Sequence, residues 1–243
     1  MKQREILSNI LNGSSKMEVV NFEEQGDQHI LTSLDTPMRD DAFLLSSEEK
    51  KKIIEHHFEK IMLTLGLDLT DDSLKGTPHR VAKMYIEEIF SGLDISNKPK
   101  ISLFENKYSY NEMLVEKNIT FFSNCEHHFV PIYGKAHIAY ISSGKVIGLS
   151  KLNRIVELFG RRGAIQEQLT SAIHNAVSKI TEGNKGVIVT IVGTHNCVSC
   201  RGVKHQGAAM VTTKASGVFR ENNNLARKEF FDSLKINNGG HNI

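Results

Sequence analysis

Hydrophobic and polar positions divide the chain into a stretch with no period, a stretch with helical spacing and a stretch that alternates. Residues 1–45 are polar and broken by "NGSSK" and "EEQGDQ". They predict a disordered N-terminal extension, with a short helix at 2–11 its only candidate element. Helical spacing starts in "SSEEKKKIIEHHFEKIMLTLGL". Ser46 or Ser47 can cap, acids fill the first turn, and Ile54, Phe58, Ile61 and Leu65 recur along one face. Thr77 then offers a cap with Pro78 at the first helical position, and Val81, Tyr85 and Ile89 give a second helix an apolar face ending near Gly92.

Past residue 113 the pattern turns to strands. "NITFFS" precedes "VPIYGKAHIAYIS", which alternates around Ile132, Gly134, Ala136, Ile138 and Tyr140. "KLNRIVELFG" and "AIQEQLTSAIHNAVSKI" return to helical spacing, the latter through Ile165, Leu169, Ile173, Val177 and Ile180. "GVIVTIVG" and "GAAMVTT" are short and rich in strand formers. No internal repeat is present. Helices, a hairpin, two helices and a second hairpin predict an α+β fold with an antiparallel sheet. The expected organisation is an extension at 1–45, a helical part at 46–110, a mixed domain at 111–237 and a flexible tail at 238–243.

Composition narrows the function classes. With 243 residues the chain has ample material for a core. Its formal charge of +2 does not suggest a broad nucleic-acid surface, and Arg161, Arg162, Arg201 and Lys204 read first as a solvated face. No apolar run approaches the roughly 18–20 residues of a membrane span. "MKQREILSNILNGSSK" lacks the apolar centre of a secretory signal, so a cytoplasmic protein is expected. Three cysteines in a reducing compartment argue against a disulfide framework and leave metal binding or catalysis.

"NCEHHFVP" places Cys125, Glu126, His127 and His128 in sequence. Cys and His three residues apart form a zinc half-site only if the strand turns there, because along a flat strand their side chains would diverge. "THNCVSCRG" holds His195 and the other two cysteines, Cys197 and Cys200, after another strand. Two arrangements remain open. Cys125, His128, Cys197 and Cys200 would close a structural tetrahedron, whereas three ligands and a water would make a catalytic site. A structural ion leaves His127 and His195 without a task; acid–base catalysis would use both.

Taken together, "SNCEHHFVPIYGKAHIAYI", "VIGLSKLNRIVELFGRR", "IQEQLT" and "THNCVSCRGV" resemble the zinc-dependent GTP cyclohydrolase I family, and "LKGTPHRVAKMYIEEIFSGL" is similar to its helical N-terminal part. The resemblance runs from about 47 to about 235. It implies a tunnelling fold, an antiparallel sheet backed by two helices with a helical N-terminal part. It also implies a homodecamer with active sites at subunit interfaces and no nucleic-acid or membrane partner. The implied reaction takes GTP and water to 7,8-dihydroneopterin triphosphate and formate, the first step of folate and tetrahydropterin synthesis.

Position by position, the resemblance makes Cys125, His128 and Cys197 the ligands of one Zn2+ per subunit. It makes His127 and His195 catalytic, with Ser150 counted beside them. Glu167 reads the guanine edge, with Gln166 as its neighbour. Leu149, Lys151, Arg154 and Arg201 become substrate contacts with Ser150, while Arg80 and Lys83 reach in from another subunit and Glu126 is a pocket carboxylate. The chain departs from the family at Gly163-Ala164, where many members have Pro-Gln, and at Gln168, where Arg is usual. Cys200 replaces a residue that is usually not cysteine; its spacing from Cys197 suggests competition for zinc, or an oxidative disulfide that releases it.

Overall fold

The computed structural model describes residues 36–100, 102–221 and 225–236. The possible helix at 2–11, most of the expected extension and the expected tail lie outside them. The chain divides into two compact units, Pro37–Ser91 and Gly92 onward, the latter joined by Thr36.

The first unit is helical. Helix α1 (Ser47–Thr64) starts at Ser46 with a capping box: the Glu49 N–H donates to Ser46 Oγ, and the Ser46 N–H donates back to the Glu49 carboxylate. Of its apolar residues Met62 is buried while Ile61 is exposed, as is Leu65 at the C-cap. Helix α2 (Thr77–Met84) is capped at Gly76, not at Thr77 as the sequence suggests. The Thr77 hydroxyl instead accepts from Arg80, which places Thr77 inside the first turn with Pro78 behind it. A π-type turn, Tyr85–Ile89, continues α2. Lys51 ties the helices by pairing with both Glu48 and Glu87.

The second unit is built on an antiparallel sheet. Its strands are β2 (Met113–Asn124), β3 (Pro131–Ile141), β5 (Gly186–His195) and β6 (Met210–Ala215), paired in that order. β1 (Leu103–Glu105) and β4 (Lys145–Ile147) form a separate two-stranded ladder. Helices α3 (Leu149–Gly160) and α4 (Gln166–Ile180) cover one face through Leu152, Ile155, Val156, Leu169, Ile173 and Val177, which meet Ala136, Ile138, Tyr140, Val187, Val189 and Ile191. The alternate residues Ala139 and Ile188 face the other side, against Phe219 and against Phe230 of α6 (Leu225–Lys235). Both faces of β3 and β5 are therefore buried, and each phenylalanine ring contributes about 1.5–3 kcal/mol by leaving water. Among the described residues the outer edges of β2 and β6 remain unpaired. No helix among the described residues is long and apolar enough to cross a membrane.

Candidate metal centre and active site

The β2–β3 connection turns where the chemistry requires it. The Cys125 N–H donates to Val130 O at 2.9 Å, the Phe129 N–H donates to Cys125 O at 2.8 Å, and Asn124 Nδ2 donates to Phe129 O at 2.9 Å. Phe129 sits in the left-handed region with φ 52°, a conformation a bulky residue holds only where its surroundings enforce it. The loop brings Cys125 and His128 together and sends His127 another way; the two imidazole rings lie 6.5 Å apart at 74°.

Sheet register supplies the third candidate ligand. His195, at the end of β5, pairs with Ile132 at the start of β3, so the chain that follows β5 emerges beside the loop. It forms the single turn α5 (Asn196–Ser199). Cys125 Sγ, a His128 ring nitrogen and Cys197 Sγ then all lie within 4.8 Å of one another. A tetrahedral zinc with ordinary bond lengths separates its ligand atoms by about 3.3–3.8 Å, so this donor set closes on the ion with small side-chain adjustments. Burial raises the Cys197 thiol pKa, and nearby Cys125 raises it further. A bound cation reverses that preference, because it binds the thiolate. Cys200 lies outside the group: its thiol donates to Asn196 O at 3.0 Å and is exposed.

The spare histidines flank these ligands. His127 Nδ1 is 3.9 Å from Cys125 Sγ, and its Nε2 is 3.7 Å from the half-buried Glu126 carboxylate. His195 Nε2 is 2.8 Å from Gln166 Oε1. Burial lowers the His195 pKa, opposed by the nearby Glu167 carboxylate, so the neutral imidazole is favoured. Glu167, in the first turn of α4, is half-buried. Arg201 is near enough for its charge to lower the Cys197 pKa slightly. Gln166, expected beside the guanine, is buried and uses its amide on the protein.

The expected contacts at the start of α3 are not brought here. Leu149, Ser150 and Lys151 form the first turn of α3, and Arg154 lies one turn on. Leu149 shares a cavity of about 430 Å³ with Leu114, Val115 and Glu116, and Asn153 donates to the Glu116 carboxylate. Glu116, on β2, precedes Cys125 by nine positions, which puts the start of α3 roughly 25–30 Å along the sheet from the candidate metal ligands. One nucleotide triphosphate cannot stretch that far. Arg80 and Lys83, one turn apart on α2, make local contacts: Arg80 donates to Ser73 O and Thr77 Oγ1, and Lys83 lies 4.0 Å from Glu87.

Residues 54–235 match the family model for GTP cyclohydrolase I. A protein named GTP cyclohydrolase 1 from Flavobacterium johnsoniae is 49% identical over 215 residues, 88% of this chain and 95% of the relative. One from Vibrio parahaemolyticus is 49% identical over 225 residues, 93% and 99% of the two chains. The chain belongs to the GTP cyclohydrolase I family. Its α+β architecture is the tunnelling fold of that family. Another relative of the same name, from Aeromonas salmonicida, is 51% identical over 202 residues, 83% of this chain and 91% of the relative. Among solved structures, the archaeosine synthase QueF-Like in its apo form aligns at a TM-score of 0.37 and 17% identity, covering 43% of this chain and 93% of that one.

Sequence reasoning missed the threonines that brace this end of the sheet. Thr170 Oγ1 donates to Gln166 O at 2.8 Å and lies 2.6 Å from Thr212 Oγ1. Threonine is an ordinary strand former, so Thr212 in "MVTTKA" carries no signal of its own.

Proposed function

We propose that this chain hydrolyses and rearranges GTP to 7,8-dihydroneopterin triphosphate and formate, in the cytoplasm, as a zinc-dependent homo-oligomer of ten subunits serving folate and pterin synthesis. The observation that carries this reading is the convergence of Cys125, His128 and Cys197, flanked by His127 and His195, in a chain of this family.

Cys125, His128 and Cys197 would hold one zinc ion. When bound, zinc supplies Lewis acidity that brings the pKa of water toward neutrality. His127, exposed beside Glu126, can exchange protons with bulk solvent as the ring nitrogen takes one up. His195, half-buried and favouring its neutral form, is suited to accept one. The Glu167 carboxylate accepts from the guanine N1–H and 2-amino group, donors that adenine does not offer in that pattern.

Ser150, Lys151 and Arg154 fit the triphosphate when a second copy contributes its α3, and Arg80 and Lys83 do so from a further copy. Arg201 reaches the same phosphates from the metal end. Arginine suits this task because its planar fork pairs phosphate oxygens two at a time. Two observations support assembly: α3 begins far from the metal ligands of its own chain, and β2 and β6 leave open edges that a neighbouring sheet can pair.

The test is GTP turnover by purified, metal-analysed protein, following formate and the fluorescence of oxidised neopterin. Production of both, abolished by a zinc chelator, is the expected result. Tight zinc binding without turnover would overturn the reading.

A further inference from the structure

Gln166 opens α4 and is 1% exposed. Its amide nitrogen lies 3.1 Å from Ile191 O, 3.0 Å from Met210 O and 3.0 Å from Thr212 Oγ1. Carbonyl oxygens only accept, so the NH2 end of the amide must face β5 and β6. The other end, Oε1, is then fixed 2.8 Å from His195 Nε2. Oε1 also only accepts, so Nε2 must carry a hydrogen. In the neutral ring the lone pair therefore sits on Nδ1.

The surroundings hold that arrangement. Thr170 and Thr212 bond to each other and to the two ends of the Gln166 residue. Gly193, two residues before His195, leaves room for Oε1: a Cβ there would stand 2.4 Å from Oε1 and 3.3 Å from the Phe121 ring. To reach guanine, Gln166 would have to leave every partner and strand a buried amide.

We propose that Gln166 is a positioning residue that fixes the rotation of His195 and holds a hydrogen on its Nε2, and that it does not contact GTP. The inference rests on the proposed GTP reaction for its kinetic consequence, but not for the tautomer itself. Loss of the correct histidine tautomer can cost several powers of ten in turnover even where geometry survives.

The test uses the full chain loaded with zinc and labelled with ¹⁵N-histidine. Solid-state NMR reads the tautomer of His195, assigned by the signal lost in His195→Asn. The expected form carries its hydrogen on Nε2; a wild-type ring protonated only on Nδ1 would overturn the proposal without any variant. Gln166→Leu should mix or invert the tautomer and lower kcat by about 10²-fold or more, with KM for GTP changed less than about 3-fold and zinc content unchanged. Gly193→Ala, which crowds Oε1 while leaving Gln166 present, should give the same spectral signature if Gln166→Leu fails to fold. A raised KM with an unaltered His195 spectrum would make Gln166 a substrate contact instead. If wild-type protein turns over no GTP, the proposed function fails while the spectrum still decides the tautomer.

Discussion

At one end of the sheet, Cys125 is buried, Phe129 is held in a strained turn, and His195 is clamped by an amide that itself has three partners. At the other end, Phe104, Tyr108 and Leu149 are exposed around a cavity, and Ser150 and Lys151 begin a helix beside them. The metal end is assembled within one chain, which suits chemistry that tolerates little positional error. The α3 end carries the residues proposed to hold the triphosphate, far from the candidate metal ligands of its own chain. The contrast teaches that the candidate metal ligands and the proposed phosphate contacts on α3 lie at opposite ends of one subunit's sheet.

The largest expected effect breaks the metal end alone. Cys125→Ala should lose zinc and lower turnover by ~10³-fold or more, whereas Cys200→Ser should keep its zinc and most of its activity. Metal analysis of the two purified variants checks this. Zinc loss on replacing Cys200 would mean a closed four-ligand site, against the observed bond from its thiol to Asn196 O.

A smaller effect sharpens the comparison through stability. His174, on α4, is buried with Nε2 3.0 Å from Ser216 Oγ, and burial lowers its pKa. His137, on β3, is shifted in the same direction by burial. An unfolded histidine takes up its proton near pH 6.5, while these folded ones resist until lower pH. The unfolded state thus binds more protons in that interval, so stability is full above about pH 6.5 and falls as pH drops toward the lowered values. Thermal melts across this range should show the decline, with a shallower slope in His174→Gln. A slope unchanged by the substitution would count against a neutral, buried His174.

Much of this was legible in the residues. Period alone located α3, α4 and β3, because their apolar positions face a core on a fixed repeat. Half-site spacing points to Cys125, His128, Cys197 and Cys200 as candidate ligands, and only the structure groups the first three while the Cys200 thiol bonds to Asn196 O. Strands β1 and β4 have three residues each, too few to show alternation. The α2 cap moved by one residue because Thr77 bonds forward to Arg80, a contact that spacing cannot reveal. The distance from Ser150 to Cys125 depends on which end of the sheet α3 starts from, and a one-dimensional pattern does not record it. The resemblance sets Gln166 beside the guanine-reading Glu167, and only the carbonyls around it identify what its amide holds.

The central claim is that each active site joins the metal end of one subunit to the α3 start of another. Lys151→Ala alone should raise KM for GTP by about 10–100-fold and leave zinc in place. Co-expressing Lys151→Ala with Cys125→Ala chains tests the claim directly, because mixed assemblies can pair an intact metal end with an intact α3. Random mixing in a symmetric oligomer predicts full function at about a quarter of the sites. Mixed assemblies no more active than the sum of the two variants would contradict a shared site.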